Sequence, residues 1–447
     1  MKNAAQKIKL PTKLVPWGLL LTFLASGCAT VATAPSVADS EPSPATSPPP
    51  SAAAIALSET CASITTPLSE KEQNYAQIAW NYFGNNRRPQ TGFVNATDGY
   101  PSGTLWDQGN YLTALNAALH LGLIEQAEFD QHLTQFLTTL ANLSLFEGKL
   151  PHKVYNSATG EIVDYANEPT DRGLGWSALD IGRMLTALHI TRSCHPEYGN
   201  SIEEIVASWA LEDSVKDGQL YGAIVLSNGE TQPVQEGRLG YEEYAARGYE
   251  LWGYEVSKAL ELEPMKTVTV EGTEITVDSR DYKETNGSNY VVSESYILES
   301  IEFGLSDELK KVARQLLSVQ EKRYERTGEL TAVSEDNINK PPHFLYNTLY
   351  ANGTPWAVIT GENEPFTDLR TMSTKAAFGW RYLFPEDDYA QKLYEAVNEL
   401  HQPEKGGFYA GLYEKSDQPN DILTGNTNSL ILEILYYKAR GNQPIIP

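Results

Sequence analysis

Residues 104–121 read TLWDQGNYLTALNAALHL and show the pattern on which the fold prediction depends. A polar, Gly-containing start carries an aromatic residue and an acid in its first turn, and a long body rich in Ala and Leu follows. Similar starts, rich in Gly, Ser, Thr or Asn, occur at Gly173, Arg238, Val291, Met372 and Thr424. Because apolar residues recur at spacings of three and four, the sequence predicts six related helices.

More ordinary helices, each with one charged face, lie between most of these segments. The spacing predicts them at 126–142, 201–211, 306–325 and 386–400, and it predicts the longest helix of the chain at 240–261. Helices that are apolar all round alternate with one-sided helices in a two-layer ring, because the inner layer is buried on every side. The prediction is an all-α fold, a glucoamylase-like (α/α)6 toroid, with a small β-hairpin inserted at Lys266–Val277. The alternative is a two-domain helical protein divided near 265–290.

The N-terminus has the three regions of an export signal. Four lysines precede an apolar run from Leu14 to Ala25, and Ser26-Gly27-Cys28 follows. This pattern resembles a bacterial lipobox, so we expect a lipoprotein signal peptide at 1–27 and lipidation of Cys28; a plain signal peptide or a brief anchor is the alternative. Residues 28–57 are predicted to be a disordered tether rich in Pro, Ala and Ser. The rest, 58–447, is predicted to be one toroid domain on a lipid-anchored protein of the bacterial cell envelope.

Charge and cysteine content restrict the partners and the compartment. The 447 residues include 34 Lys and Arg against 58 Asp and Glu, a formal net charge of −24, which disfavours binding to nucleic acid. Only the N-terminal run approaches membrane hydrophobicity, which excludes a multi-span transporter. An oxidising compartment permits Cys61 and Cys194 to pair, so a disulfide is predicted, with two buried thiols as the alternative.

The chemistry that the residues allow rests on carboxylates and aromatic rings. The seven His are scattered without metal-ligand spacing, and nucleophile-elbow, phosphate-loop and dinucleotide motifs are absent from the sequence. We therefore expect no metal and no cofactor. Acids and aromatic residues occur at or near the starts of the related helices, where helix N-termini would gather around a central cavity. Two carboxyl groups and flat aromatic faces are what glycoside hydrolysis requires.

Three acids are the predicted catalytic residues. Glu294 has apolar neighbours that suit a proton donor, Glu236 lies beside Arg238 and suits a base or nucleophile, and Asp107 is the reserve carboxylate. Each acid also has a structural alternative: Asp107 fits a helix cap, Glu236 fits an ion pair in a solvated loop, and Glu294 fits an ordinary acid at a helix start. The predicted substrate-binding residues are the aromatic Trp106, Trp176 and Tyr241 together with Asn110 and Arg183. Asp180 and Arg183 are instead more typical of an ion pair within one helix. The glycine-flanked segment 234–240 is predicted to order on sugar binding.

Several motifs together resemble the bacterial envelope family DUF3131. They are Tyr75-Ala-Gln-Ile-Ala-Trp-Asn-Tyr-Phe, Thr91-Gly-Phe-Val-Asn-Ala-Thr-Asp-Gly-Tyr-Pro, Thr104-Leu-Trp-Asp-Gln-Gly, Leu150-Pro-His-Lys-Val-Tyr-Asn, Gly175-Trp-Ser-Ala-Leu-Asp-Ile-Gly-Arg, Gln235-Glu-Gly-Arg-Leu-Gly-Tyr-Glu-Glu-Tyr-Ala-Ala-Arg-Gly and Leu423-Thr-Gly-Asn-Thr-Asn-Ser-Leu-Ile-Leu-Glu. The resemblance covers roughly residues 68–440 and implies a glucoamylase-like toroid. It transfers no catalytic residue, because the family name records no activity.

The sequence leaves three functions open. The first is an envelope glycoside hydrolase or transglycosylase that acts on a polysaccharide through two carboxylates. The second is a non-catalytic carbohydrate-binding or scaffold lipoprotein with the same fold. The third is a lyase or an isoprenoid enzyme, although the chain lacks an obvious Asp-rich signature for that chemistry.

Overall fold

Thirteen helices lie in the part of the chain that the computed structural model describes, namely Cys61, residues 63–402 and residues 406–446. In chain order they are α1 Glu70–Asn86, α2 Leu105–His120, α3 Gln126–Ala141, α4 Ala178–Cys194, α5 Gly199–Ala207, α6 Tyr241–Glu250, α7 Ser257–Leu260, α8 Tyr282–Thr285, α9 Glu294–Glu302, α10 Asp307–Thr327, α11 Thr374–Leu383, α12 Asp388–Val397 and α13 Gly425–Ala439. The predicted signal peptide, Cys28 and the tether lie outside the described residues. No helix within those residues combines the length and apolar character that a membrane crossing requires.

Six helices form a closed inner ring. Each packs on the next in the order α2, α4, α6, α9, α11 and α13, and α13 returns to pack on α2. These are the six helices whose starts share one sequence form. Their bodies are buried almost all round; in α2, for example, every residue from Gln108 to Ala118 is buried. The predicted inner ring of an (α/α)6 toroid is therefore confirmed.

The outer helices pack on this ring and present one polar face to water. Helix α1 packs on α13 and α2, α3 on α2, α5 on α4 and α12 on α11. One predicted boundary is wrong, because the helix expected at 240–261 ends at Glu250. The chain turns there at Gly253, which adopts a φ of +82°, and a short helix, α7, follows. The longest of the described helices is instead α10, with 21 residues.

Seventeen short strands also occur in the described residues, grouped in seven small antiparallel sheets. They are β1 Ser102–Thr104, β2 Leu145–Phe146, β3 Leu150–Pro151, β4 Val154–Asn156, β5 Val215–Lys216, β6 Gln219–Val225, β7 Thr231–Gln235, β8 Met265–Val270, β9 Thr273–Asp278, β10 Glu335–Asn337, β11 Phe344–Asn347, β12 Tyr350–Ala351, β13 Thr354–Pro355, β14 Val358–Ile359, β15 Thr371–Ser373, β16 Tyr409–Tyr413 and β17 Pro419–Leu423. The hairpin β8–β9 is the predicted insertion. Most other strands lie in connections that lead into inner helices: β1 runs directly into α2 and β15 into α11.

Two glycines allow α4 and α6 to approach closely. A Cβ atom added to Gly248 on α6 would lie 2.1 Å from the carbonyl oxygen of Gly182 on α4. A Cβ atom on Gly182 would lie 2.5 Å from the carbonyl oxygen of Ala245. Both distances are far below van der Waals contact, so this part of the ring depends on the absence of side chains at both positions.

The axis of the ring contains a buried ionic cluster centred on Arg183. Its side chain has no exposed surface, and its guanidinium is paired with Glu302 on α9 and, at 2.7 Å, with Glu433 on α13. It also donates at 2.8 Å to Asn110 Oδ1 and at 3.0 Å to Thr113 Oγ1, both on α2, and at 2.7 Å to the hydroxyl of Tyr244 on α6. One side chain of α4 thus connects four other inner helices.

The predicted disulfide joins Cys61 to Cys194. Cys194 is the last residue of α4, and Cys61 lies against the end of α13, where Tyr436 donates a hydrogen bond to its carbonyl oxygen. The bond therefore attaches the segment before α1 to the C-terminal ends of two inner helices. This end of the ring is opposite the helix N-termini described below.

Candidate active site

The N-termini of the inner helices converge at one end of the ring. Asn426, in the first turn of α13, donates hydrogen bonds of 3.0 and 3.3 Å to the two carboxylate oxygens of Glu294, the first residue of α9. Lys375, in the first turn of α11, forms an ion pair with the same carboxylate. The Trp106 ring of α2 lies 5.7 Å from the Tyr241 ring of α6. Side chains from five helix starts therefore lie together at this end of the ring, and we call the space that they surround the cavity.

Lys375 is the centre of one acidic wall of this cavity. Besides Glu294 it faces Asp336 Oδ1 at 3.5 Å, and all three side chains are at most 2% exposed. Burial raises the pKa of Asp336 to about 7, against the charge of Lys375. The neighbouring Glu335 accepts a hydrogen bond from the Tyr241 hydroxyl, and burial raises its pKa as well. The carboxyl groups of Glu294 and Asp336 thus share the ammonium of Lys375, which fixes their positions in this wall.

Asp107 lies in the first turn of α2 and caps that helix. One of its oxygens accepts from the backbone N–H of Thr104 at 2.9 Å and from the Thr104 hydroxyl at 2.8 Å, while the Asp107 N–H returns a bond to that hydroxyl. Burial raises the pKa of Asp107, and these hydrogen bonds oppose the shift. The side chain keeps some exposure, so the capping role and contact with the cavity coexist.

Asp180 and Glu236 form a second acidic pair on the opposite part of the wall. Both side chains are partly exposed, yet protein surrounds them. The hydroxyl of Ser177 donates to Asp180 Oδ1 at 3.1 Å and also reaches the Glu236 carboxylate. Ser177 therefore lies beside both acids. The two carboxyl groups are therefore close neighbours.

The environments of these two acids differ. Loss of bulk water and the charge of Glu236 raise the pKa of Asp180 to about 7. Burial also raises the pKa of Glu236, but the charge of Lys153 and the backbone N–H of Ala178, which donates at 2.6 Å from the start of α4, oppose that rise. A helix N-terminus favours negative charge. The two acids therefore have different partners: a second acid lies beside Asp180, whereas a helix N-terminus and Lys153 favour the charged form of Glu236.

Three of the predicted substrate-binding residues have structural positions instead. Arg183 is wholly buried in the axial cluster, and Asn110 accepts a bond from it, so neither faces the cavity as a ligand for sugar hydroxyls. The ion pair expected between Asp180 and Arg183 is also wrong, because Arg183 pairs with Glu302 and Glu433. Trp176 is 4% exposed and donates its indole N–H to the Tyr221 carbonyl, so its ring belongs to the core.

The other predicted residues lie at the cavity. Trp106 is partly exposed, and Tyr241 is mostly buried behind it. Glu236 faces the start of α4, where it accepts a hydrogen bond from the Ala178 N–H at 2.6 Å. Glu294 also lies at the cavity, where Lys375 and Asn426 hold its carboxylate.

Sequence reasoning missed residues that the fold brings to the cavity. Lys375 and Asn426 stand in first turns that follow the shared form of the inner helices, so alignment of the six starts was a usable signal for both. Asp180 occupies the third position of α4, as Asp107 does in α2, and the same alignment identifies it. Asp336 comes from a connecting strand, and no helical pattern points to it. Among the described residues, no group of three or more His, Cys, Asp or Glu is placed to hold a metal ion.

A family model described as a protein of unknown function, DUF3131, matches residues 74–441. The chain belongs to the DUF3131 family. No curated protein matches this DUF3131 chain. Its fold is similar to that of an endo-β-1,2-glucanase from Chitinophaga pinensis solved with sophorotriose and glucose, with a TM-score of 0.58 and 14% identity over 85% of this chain and 96% of that one.

Two further glucanases resemble the DUF3131 chain in fold. An endo-β-1,2-glucanase from Talaromyces funiculosus solved with sophorose has a TM-score of 0.55 and 13% identity over 83% of this chain and 86% of that one. A β-1,2-glucanase from Parabacteroides distasonis also has a TM-score of 0.55 and 13% identity, over 85% of this chain and 58% of that one. At these identities the similarity shows that the DUF3131 chain has the toroid fold.

Proposed function

We propose that this protein is a glycoside hydrolase that cleaves a polysaccharide in the cavity at the helix N-termini. The observation that carries the proposal is the Asp180–Glu236 pair: two adjacent carboxyl groups whose surroundings favour different protonation states. That difference is what a glycosidase needs, because one group must give a proton to the leaving oxygen while the other acts as a carboxylate.

Asp180 is the proton donor in this mechanism. With a pKa of about 7 it is largely protonated in mildly acidic solution and still half protonated at neutral pH, and its partial exposure lets it reach a bound glycosidic oxygen. Glu236 is the nucleophile, and the Ala178 N–H and the charge of Lys153 favour its carboxylate form against the effect of burial. Retaining enzymes have carboxyl groups about 5–5.5 Å apart, and retention is the outcome that we propose for this neighbouring pair.

The other wall of the cavity binds the sugar in this proposal. Trp106 provides a partly exposed aromatic face, and Asn426 and Asp107 provide polar atoms for hydroxyl groups. Glu294 and Lys375 hold these groups in position rather than transfer protons. Because acids outnumber the cations Lys153 and Lys375 around the cavity, an uncharged polysaccharide suits the site better than a polyanion. The fold of the β-1,2-glucanases makes β-1,2-glucan the first substrate to test.

The test compares Asp180→Asn and Glu236→Gln with the unchanged chain on β-1,2-glucan and on a panel of other neutral glucans. Asp171→Asn, which changes an exposed loop acid, is the matched control. We expect both site variants to lose at least about 10³-fold in kcat/KM and the control to retain full activity. Azide should restore turnover to Glu236→Ala, and NMR of the first product should show a retained anomer.

Other results point to other functions. Full activity in either site variant refutes the assignment of that residue. Binding of a glucan without any turnover by the unchanged chain favours the non-catalytic carbohydrate-binding protein instead. An inverted product would move the second carboxylate to a group farther from Asp180, and Asp107 would be the first residue to examine.

The same proposal places the protein in the bacterial cell envelope, anchored through lipid on Cys28. The pairing of Cys61 with Cys194 supports an oxidising compartment. The test is metabolic labelling with a fatty-acid analogue in a bacterial host: the unchanged chain should take up label and sediment with membranes, and Cys28→Ser should do neither. Equal labelling of the two chains refutes the anchor.

A further inference from the structure

Exposed aromatic side chains are concentrated at the cavity end of the ring. Among the described residues only four large hydrophobic side chains are well exposed, and three of them are the aromatic residues Tyr100, Tyr165 and Phe344, at 41%, 68% and 39%. Tyr100 directly precedes β1 and α2, and the other two lie in connections that reach the cavity. A group of exposed aromatic rings at one end of a protein marks a binding surface rather than a core.

Tyr165 stands at the tip of a turn that is held rigidly. The carboxylate of Asp164 accepts from the backbone N–H groups of Ala166 and Glu168 at 2.9 and 3.0 Å, and Val163 pairs with Pro169 across the base of the turn. A turn with these bonds presents the Tyr165 ring at a fixed place. The ring is exposed, but surrounding protein and the nearby charges of Asp180 and Glu236 raise the pKa of its hydroxyl. The Tyr165 ring is therefore near the acid pair.

A second set of aromatic rings lies on and beside strand β11. Tyr346 stacks on Tyr290 with their centroids 4.1 Å apart, and Phe344 meets Tyr346 edge-on at 5.3 Å. Residues 344 and 346 of β11 lie on one face of the sheet. Glu335 of the neighbouring strand β10 lies on the same face, because it is the register partner of Tyr346, and it accepts a hydrogen bond from Tyr241. One face of this sheet thus extends from the cavity wall up to an exposed aromatic edge.

We propose that the turn bearing Tyr165 and the β11 face bearing Tyr346 and Phe344 are the two walls of an open cleft, which clamps an internal segment of a polysaccharide chain over Asp180 and Glu236. The proposal rests on the proposed function for the nature of the ligand. Sugar rings present flat C–H faces that stack on aromatic rings, and rings on both walls hold a chain that passes through. Exposed rings beyond the acid pair provide contacts that a terminal-sugar pocket would not need, so cleavage is internal.

The experiment measures binding and cleavage separately in the full chain. Binding of β-1,2-glucan oligosaccharides of increasing length is followed by calorimetry in Asp180→Asn, which prevents turnover. We expect affinity to rise with chain length, and Tyr165→Ala in that background to weaken the binding of the longest oligosaccharide about tenfold and to remove the gain with length. Tyr165→Phe should keep the affinity because the ring remains. Tyr437→Ala, at the opposite end of α13, is the control and should bind as the parent does.

Cleavage by the unchanged chain gives the second result. Internal cleavage lowers the viscosity of a long glucan before much reducing sugar appears, whereas terminal cleavage releases small sugars from the start. Terminal release, or unchanged affinity in Tyr165→Ala, overturns the clamp while leaving the proposed hydrolase intact. Binding that depends on Tyr165 without any hydrolysis overturns the hydrolase and leaves the clamp. Failure of every oligosaccharide to bind overturns the clamp.

Discussion

Replacement of Arg183 by Met should destabilise the fold strongly, because the guanidinium neutralises two buried acids. Its removal leaves Glu302 and Glu433 without a positive partner and leaves Asn110 and Tyr244 without a donor. Breaking a buried ion pair costs about 3–5 kcal/mol, and each orphaned polar group adds about 1 kcal/mol or more. We expect a loss of about 4–6 kcal/mol in the free energy of unfolding, a large share of the 5–15 kcal/mol typical of a domain.

Urea unfolding followed by tryptophan fluorescence measures this loss, and two more variants test its cause. Arg326→Met removes an exposed ion pair with Glu271 and should cost less than about 1 kcal/mol. A triple variant, Arg183→Met with Glu302→Gln and Glu433→Gln, removes all three charges and should recover part of the lost stability. The deficit of the single variant should also be smaller at pH 5 than at pH 8, because burial raises the pKa of Glu302 and its protonation removes an unpaired charge. A loss below about 1 kcal/mol, or one that the triple variant does not reduce, refutes the reasoning.

Three further predictions concern protons and the disulfide. The kcat/KM of the active chain should fall as the pH rises through about 7, because Asp180 loses the proton that it must donate; an activity that is flat from pH 6 to 9 contradicts its role. Burial raises the pKa of Glu243 to about 8. Stability from such an acid is present below its ordinary pKa and is lost as the pH rises through the raised value. The free energy of unfolding should therefore be larger at pH 5.5 than at pH 8.5 by at least ~2 kcal/mol, and Glu243→Gln should flatten this dependence. Replacing Cys61 and Cys194 by Ser should lower the unfolding free energy by up to about 5 kcal/mol, as the chain-entropy estimate gives for residues 133 apart; an unchanged urea midpoint would show that the denatured chain gains no freedom.

The inner ring was predictable because its helices are buried on all sides. That burial produces long runs of Ala and Leu after a polar start, and the six starts are visible in the sequence one by one. The outer layer was predictable where helices are long and one-sided, as in α3, α10 and α12. Apart from the β8–β9 hairpin, the small sheets were not, because most of their strands are too short to show an alternating pattern.

The candidate site was only partly predictable, because side-chain partners come from distant segments. Local sequence placed Glu294 among apolar residues, whereas its actual partners lie 81 and 132 positions later, at Lys375 and Asn426. Arg183 looked like a partner for Asp180 one turn away, but the ring supplies it with acids from two other helices. The pattern of the helix starts located the cavity, and only the closed ring shows which side chains face each other.

Closure of the ring between α13 and α2 has a consequence for biosynthesis. The hydroxyl of Thr113 on α2 donates to the carboxylate of Glu433 on α13, a residue 320 positions later. Helix α2 therefore cannot pack on α13 until nearly the whole chain has been synthesised. Contacts of such long range form late and slow the folding of a protein. Until the final helix is made, one side of the cavity is missing, along with Asn426. A truncated or still-emerging chain therefore has no complete candidate site, and the site is completed only when the last two dozen residues of the sequence have folded onto the ring.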